Sequence, residues 1–332
     1  MSIIPVILAA GQGTRMKSAL PKVLHAVLGK PMISYILDEI AKVTPEKPVV
    51  VLGHGADQVK AVIQERAHIA IQKQQLGTAD AVLAAEAQAA DKTEYVIVAY
   101  SDMPCLRAQT IQRICDTQKE NSGAFSMLTI IQEDSHGFGR IVRQMDGSVA
   151  AIVEEAQATP EILNIKECNV GVYCFRSSWL WQALKRVKIS PKGEYYLTDL
   201  VELANEDHLP VQAVVLEDQE EALGVNNRVH LSEAEGILRK RINQKWMMEG
   251  VTMIDPSSTY IAADVTISRD VILYPDTWIE GKTIIGDNCL IGPGTFIADS
   301  EIGKGCVIRQ SSVKNYSLPE KSVIGPFQVL GQ

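Results

Sequence analysis

The sequence predicts an α/β chain in two parts: a Rossmann-like, doubly wound and mostly parallel sheet, followed by a short left-handed parallel β-helix. Three observations carry this reading. Up to about residue 220, runs rich in β-branched residues alternate with segments of helical period. After residue 251 the apolar period becomes six. At 332 residues, the chain is long enough to bury two cores without covalent staples.

Strands are expected at 3–9 (IIPVILA), 48–52 (PVVVL), 95–99 (YVIVA), 125–131 (FSMLTII), 169–175 (NVGVYCF) and 211–216 (VQAVVL). Helical spacing of apolar residues falls at 34–43, 57–67, 78–90 and 107–119. Sheets of this kind bind ligands beyond the carboxyl ends of their strands. Residues 228–249 read as one long amphipathic helix. The expected division is therefore a sheet domain at 1–227, a linker helix at 228–250 and a repeat domain at 251–332.

In that last part Ile261, Ile267, Leu273, Ile279, Ile285, Ile291 and Ile297 stand six residues apart, and after a one-residue slip Ile302 and Ile308 resume the series. Small or β-branched residues (Thr259, Val265, Val271, Thr277, Thr283, Cys289, Thr295) precede them by two. With the pairs Ile285-Gly286, Ile291-Gly292 and Ile302-Gly303, this is the signature of hexapeptide coils, each flat face giving one inward aliphatic side chain. Three faces make a coil, so the pattern predicts roughly three coils.

Charge and cysteine content narrow the function. A net charge of −8 argues against a nucleic-acid binder, which needs a broad basic face. Yet residues 1–37 hold Arg15, Lys17, Lys22 and Lys30 and no acid, so this segment carries +4 and the remainder −12. An anion site is expected there. The six cysteines form no C-x-x-C pair, which suggests neither a disulfide framework nor a zinc site. No charged leader and no 18-residue apolar span is present, so a cytoplasmic protein without membrane insertion is expected.

The segment LAAGQGTRMKSALPK, residues 8–22, continues the first strand into a glycine loop. It lacks the third glycine of a dinucleotide fingerprint and the Gly-Lys-Ser/Thr of a P-loop. Gly11 and Gly13 allow a sharp bend that brings backbone N–H groups to a phosphate chain. Arg15 offers a planar fork for phosphate oxygens, and Lys22 a mobile point charge. Taken locally, Lys22 is equally a solvated lysine after a turn proline. Asp102 follows YVIVA at a strand's carboxyl end, where it suits Mg²⁺, which takes one or two protein oxygens plus substrate phosphates. It also suits an N-cap for a helix near Pro104.

The pattern G-x-G-T-R-M-x4-P-K resembles that of the sugar-nucleotide pyrophosphorylase family, and within it the bacterial N-acetylglucosamine-1-phosphate uridylyltransferases. The resemblance continues through LGHG (52–55), QQLGTADA (74–81), YSDMP (100–104), GFGRIV (137–142), IVEE (152–155), CNVG (168–171), GEYYLTD (193–199) and GVNNR (224–228) into the repeats. It implies UTP and a sugar 1-phosphate as substrates, and Mg²⁺ held by Asp102 and Asn226. It further implies that Leu8, Ala9, Ala10 and Gly11 present backbone to the base, with Gln72 at the uracil edge and Gly77 and Thr78 completing that pocket. Gly139, Glu154 and Asn169 would hold the sugar, and Tyr100 and Ser101 would touch nucleotide and sugar. Without the resemblance, Asn226 and Asn169 read as turn residues and Glu154 as a solvated acid.

The reaction so implied is attack by the phosphate of N-acetylglucosamine 1-phosphate on the α-phosphorus of UTP. A phosphate monoester has its second pKa near ~6 and is already largely dianionic at neutral pH, so no general base is sought. His25, His54, His68, His136, His208 and His230 are accordingly read as structural. Full-length relatives of this kind carry an acetyltransferase on a longer β-helix; with no histidine after His230, none is expected here. The resemblance also implies a homotrimer through the β-helix. Ser101 stands where such relatives usually have glycine, and its added Cβ and hydroxyl, next to Asp102, are expected to narrow or re-dress the sugar pocket. Other sugar 1-phosphate and nucleotide pairs, or a non-catalytic subunit of the same fold, remain alternatives at this point.

Overall fold

The computed structural model describes residues 2–133 and 137–331; His136 lies outside them. The chain forms two compact units, residues 2–25 with 32–230, and residues 26–31 with 231–331.

In the first unit the strands are β1 (Ile3–Ala9), β4 (Val49–Leu52), β5 (His68–Ile71), β6 (Tyr95–Tyr100), β7 (Phe125–Ile131), β8 (Arg140–Arg143), β9 (Val149–Val153), β10 (Glu167–Arg176) and β11 (Val211–Val215); β2 (Ala26–Val27) and β3 (Lys30–Pro31) form a hairpin in the second unit. The main sheet runs β11-β7-β10-β6-β1-β4-β5, with β8 and β9 off the path. Strands β6, β1, β4 and β5 are parallel, and β10 is antiparallel to both β6 and β7. The chain leaves β1 toward β4 and β5, then returns to place β6 on the other side. This is a switch point, which opens a crevice beyond the carboxyl ends of β1 and β6.

Alternation in the strands sorts side chains onto two faces. Val6, Leu8, Val96 and Val98 join one core, while Ile7, Ala9, Ile97 and Ala99 join the other. Helices cover both faces: α1 (Met32–Val43), α2 (Ala56–Ile63), α3 (Thr78–Leu83), α4 (Glu86–Ala89), α5 (Ala108–Glu120), α6 (Pro160–Leu163), α7 (Ser177–Leu184) and α8 (Leu200–Glu206).

Several elements depart from the sequence reading. Residues 78–90 form two short helices rather than one, and 57–67 ends in a turn of 3₁₀ helix. Strand β5 was hidden because HIAI is a four-residue edge strand with only Ala70 fully buried. The pair β8–β9 and helices α7 and α8 were likewise not expected from pattern. The helix at α9 (Arg228–Met248) exists, but its body belongs to the second unit from Leu231 onward.

The second unit is a left-handed β-helix with three sheets of five, five and four parallel strands. That corrects the expectation of three coils to nearly five. The inward rows are continuous: Ile261, Ile279, Ile297 and Val313 on one face, Ile267, Ile285, Ile302 and Leu318 on the next, Leu273, Ile291 and Ile308 on the third. The isoleucine period does not show the extra turns, because Val313, Leu318 and Leu330 replace isoleucine at inward positions and the steps 308–313 and 313–318 are one residue shorter. At the other end Asn243 of α9 donates to the carbonyls of Pro256 and Thr259, both at 2.9 Å, and Trp246 joins the coil core.

Candidate active site

Strand β1 runs at its carboxyl end into Ala10-Gly11 and β6 into Ser101-Asp102, and Leu8 is paired with Tyr100, so the sheet register puts the glycine loop beside the aspartate. Gly13 adopts a left-handed backbone (φ 64°), and a Cβ on it would lie 2.6 Å from Lys22 Cβ. The loop therefore folds tightly onto Lys22. Gly11 is not left-handed, and a side chain there would project into open space.

Lys22 Nζ donates to Asp102 Oδ2, and the two side chains are only 14% and 17% exposed. Lys22 Nζ also lies 3.4 Å from Asn226 Oδ1, which accepts from Arg15 Nη2 at 2.9 Å. Four residues spread over 211 positions of sequence thus converge on one point. Asn226 is brought there by its neighbour, since Val225 N–H donates to the Asp102 carbonyl at 2.8 Å. Asn227 then starts α9 by accepting from Val229 and His230 N–H. Asp102 caps no helix: α5 begins at Ala108 with Arg107 before it.

Next to this cluster is a cavity of about 330 Å³, lined by Leu8, Ala9, Ala10, Gly11, Lys22, Gln72, Gly77, Thr78, Tyr100, Ser101 and Asp102. Val23, Gln75, Ala81, Glu194 and Tyr196 line it too. The last two come from GEYYLTD, a stretch whose signal was visible as a motif but not as individual residues. Gly77 (φ 111°) packs so closely that a Cβ would fall 2.4 Å from the Tyr195 carbonyl oxygen, and this close packing brings Glu194 and Tyr196 to the cavity wall.

Gly139, Glu154 and Asn169 form a neighbouring group. Asn169 N–H donates to Gly139 O at 2.8 Å, and a Cβ on Gly139 would lie 3.6 Å from Glu154 Oε2. Glu154 accepts from Thr198 Oγ1 at 3.1 Å, and burial holds its carboxyl above the usual range. Asn169 is partly committed: Nδ2 donates to the Tyr173 hydroxyl at 2.7 Å, and Oδ1 accepts from Gly171 N–H at 3.1 Å. A register shift in β10 between Asn169 and Tyr173, with Gly171 left-handed, lets the Tyr100 ring approach the backbone there. Burial and the Glu154 and Asp102 carboxylates push the Tyr100 phenol far above its ordinary pKa, so it stays neutral.

Ser101 has a second tie to the sheet. Its hydroxyl donates to the Leu8 carbonyl at 2.7 Å and ties β6 to β1, while the residue stays on the cavity wall. Of the described histidines, His25 accepts from Arg228 Nη1 through Nδ1 at 3.3 Å, and burial followed by the Arg228 charge lowers its pKa. His54 is exposed and lines no part of the cavity.

Among the described residues, no group of three or more His, Cys, Asp or Glu side chains could hold a metal. The hard oxygens of Asp102 and Asn226, however, already share one cation, the Lys22 ammonium. This donor set fits a divalent ion that takes its other ligands from phosphate and water.

Asp199, next to Thr198, has its carboxyl pushed from 3.8 up to about 6, first by burial and then by the Glu202 and Glu154 charges. Between about pH 4 and pH 6 the folded chain keeps a proton that the unfolded chain has lost. Stability therefore falls as pH rises through that window, and the burden is fully present at neutral pH. Asp199→Asn is expected to raise Tm relative to the parent at pH 7, with the difference closing by about pH 4. Parallel thermal melts at both pH values check this; an equal offset at both would contradict it.

This site lies on a domain of established kind. A model of the MobA-like NTP transferase domain matches residues 5–188, and one of the bacterial transferase hexapeptide (six repeats) matches residues 282–313. The domain is that of a nucleotidyltransferase. The chain is 45% identical over 323 residues to the bifunctional protein GlmU of Halalkalibacterium halodurans, spanning 97% of this chain and 71% of that protein. With GlmU of Exiguobacterium sibiricum the identity is 44% over 333 residues, spanning 74% of the relative. It is 42% over 323 residues with GlmU of Bacillus velezensis. The chain belongs to the GlmU family. Among the described residues, no helix is long and apolar enough to cross a membrane, no disulfide forms, and all six cysteines are buried.

Proposed function

We propose that this protein transfers UMP from UTP to N-acetylglucosamine 1-phosphate, with Mg²⁺ bound, giving UDP-N-acetylglucosamine and pyrophosphate. The observation that carries the reading is the convergence of Arg15, Lys22, Asp102 and Asn226 beside the glycine loop at the switch point of the sheet. Two polyanions must be brought together in line, and charge must be stabilised on the departing pyrophosphate.

Asp102 and Asn226 would hold the metal, which supplies charge neutralisation between the phosphates when bound. Lys22 and Arg15 lie within reach of the same point and add two fixed positive charges. The loop at Gly11 leaves space for the triphosphate. Glu154 and Asn169 offer acceptor and donor groups for a neutral acetamido sugar. The family kinship also supports a homotrimer through the β-helix, to be checked by light scattering.

Pyrophosphate release should be measured for each nucleoside triphosphate against a panel of sugar 1-phosphates, with and without magnesium. The expected result is magnesium-dependent release, fastest with UTP and N-acetylglucosamine 1-phosphate. A different preferred pair would overturn the substrate assignment.

A further inference from the structure

Gln72 is 5% exposed, follows directly on β5, and lines the cavity. Its backbone N–H donates to the Leu52 carbonyl at 2.8 Å, so its Cα is fixed by the sheet. Its side chain is fixed as well. Nε2 donates to the Gly77 carbonyl at 3.0 Å and to Asp80 Oδ2 at 2.8 Å. A peptide carbonyl and a carboxylate only accept, so both amide hydrogens are committed and the amide has one permitted orientation. No described residue donates to Oε1, which is not among the buried polar atoms left without a partner. The group that Gln72 offers a ligand is therefore an acceptor.

We propose that Asp80 is a positioning residue that locks the Gln72 amide and thereby makes the site select pyrimidines whose N3 carries a hydrogen, uracil above cytosine. This rests on the reading that the nucleotide base sits at Gln72. Uracil N3–H donates to an amide oxygen, whereas cytosine N3 is an acceptor and would face that oxygen with no hydrogen between them. A glutamine free to turn over serves either base by exchanging its oxygen and nitrogen. Here that exchange would break two hydrogen bonds and set Oε1 against the Gly77 carbonyl and the Asp80 carboxylate, all three acceptors. A site built to pair one polarity rejects the opposite one far more strongly than a pocket that merely fits by size.

The frame that carries the lock is itself pinned. Tyr195 N–H donates to Leu76 O at 2.7 Å, Ala79 N–H to Tyr195 O at 3.0 Å, and Leu197 N–H to Thr78 Oγ1 at 2.9 Å. The Gly77 carbonyl, besides accepting from Gln72, takes the first bond of α3 from Ala81 N–H at 3.2 Å. Turning the Gly77 carbonyl to follow a flipped Gln72 would thus disrupt the start of that helix. Asp80 is the one member of the lock whose polarity a single isosteric substitution can change.

The test is the ratio of kcat/KM for UTP to that for CTP, with one sugar 1-phosphate, in the parent, Asp80→Asn and Asp80→Ala. An asparagine in place of Asp80 pairs with either orientation of Gln72, because its own amide turns over, and an alanine there pairs with neither, so in both variants only the Gly77 carbonyl still opposes the turned amide. In both variants the ratio is expected to fall by at least about tenfold, through a rise in CTP turnover that no loss of fold can produce. A ratio unchanged from the parent, or reached only by loss of UTP turnover, overturns the lock while leaving the base assignment intact. A parent enzyme that uses CTP as well as UTP, or prefers a purine triphosphate, overturns the base assignment and the lock with it.

Discussion

Replacing Lys22 with alanine is expected to lower kcat more than a hundredfold while leaving the fold intact. The lysine ammonium lies at the meeting point of Asp102 and Asn226, next to the loop that begins at Gly11, where it can neutralise charge on the reacting phosphates. Removing a fixed charge partner of this kind costs about 3 kcal/mol of transition-state stabilisation, which is the hundredfold or more in rate. The fold is spared for a local reason. The part of Lys22 that packs against Gly13 is its Cβ, which alanine retains. Arginine should restore little, since its planar fork places charge differently from a compact ammonium on a flexible stem. Steady-state pyrophosphate release, with circular dichroism to confirm folding, measures the effect. A rate close to the parent would remove Lys22 from the reaction.

What could be read in the linear sequence was whatever local spacing or repetition encodes. The glycine loop, Lys22 and the aspartate after YVIVA are local, and the fold brings them together because β1 and β6 are adjacent and parallel. The isoleucine period revealed the β-helix, yet undercounted its coils once valine and leucine replaced isoleucine and the repeat shortened. Ser101 adjoins Asp102 in the chain, but the direction of its hydroxyl depends on the Leu8 carbonyl one strand away. Strand β5 escaped because an edge strand with one fully buried residue has no strong alternation. The lock on Gln72 was invisible for a different reason: Asp80, eight residues on, looks like an ordinary acid in the first turn of a helix until its oxygen is found on the glutamine amide. The raised pKa of Asp199 likewise arises from burial and from Glu154, which is remote in sequence.

Asp102→Ala is expected to cost more than a hundredfold in turnover and to raise the magnesium concentration needed for half-maximal rate by at least about tenfold. The variant keeps what the backbone contributes, since the bond that delivers Asn226 runs from Val225 N–H to the Asp102 carbonyl and does not involve the side chain. Asn226 remains in place with its oxygen still facing Arg15. What is lost is the carboxylate of the four-residue cluster, so a divalent ion would be left with an amide oxygen, water and substrate phosphates. Lys22 loses its charged partner at the same time and keeps only the Asn226 oxygen, and because it is mostly buried its ammonium has no equivalent solvent to turn to. Two effects of one substitution thus fall on one site, and they are separable by titration. A metal defect is offset by added magnesium, whereas displacement of Lys22 is not. Because lysine and aspartate act as a unit, the double variant Lys22→Ala/Asp102→Ala should lose little beyond the worse single variant, as is found for residues that serve the same step. Fully additive losses would show that the two side chains act independently, and near-parental rates for Asp102→Ala at ordinary magnesium would place the metal elsewhere.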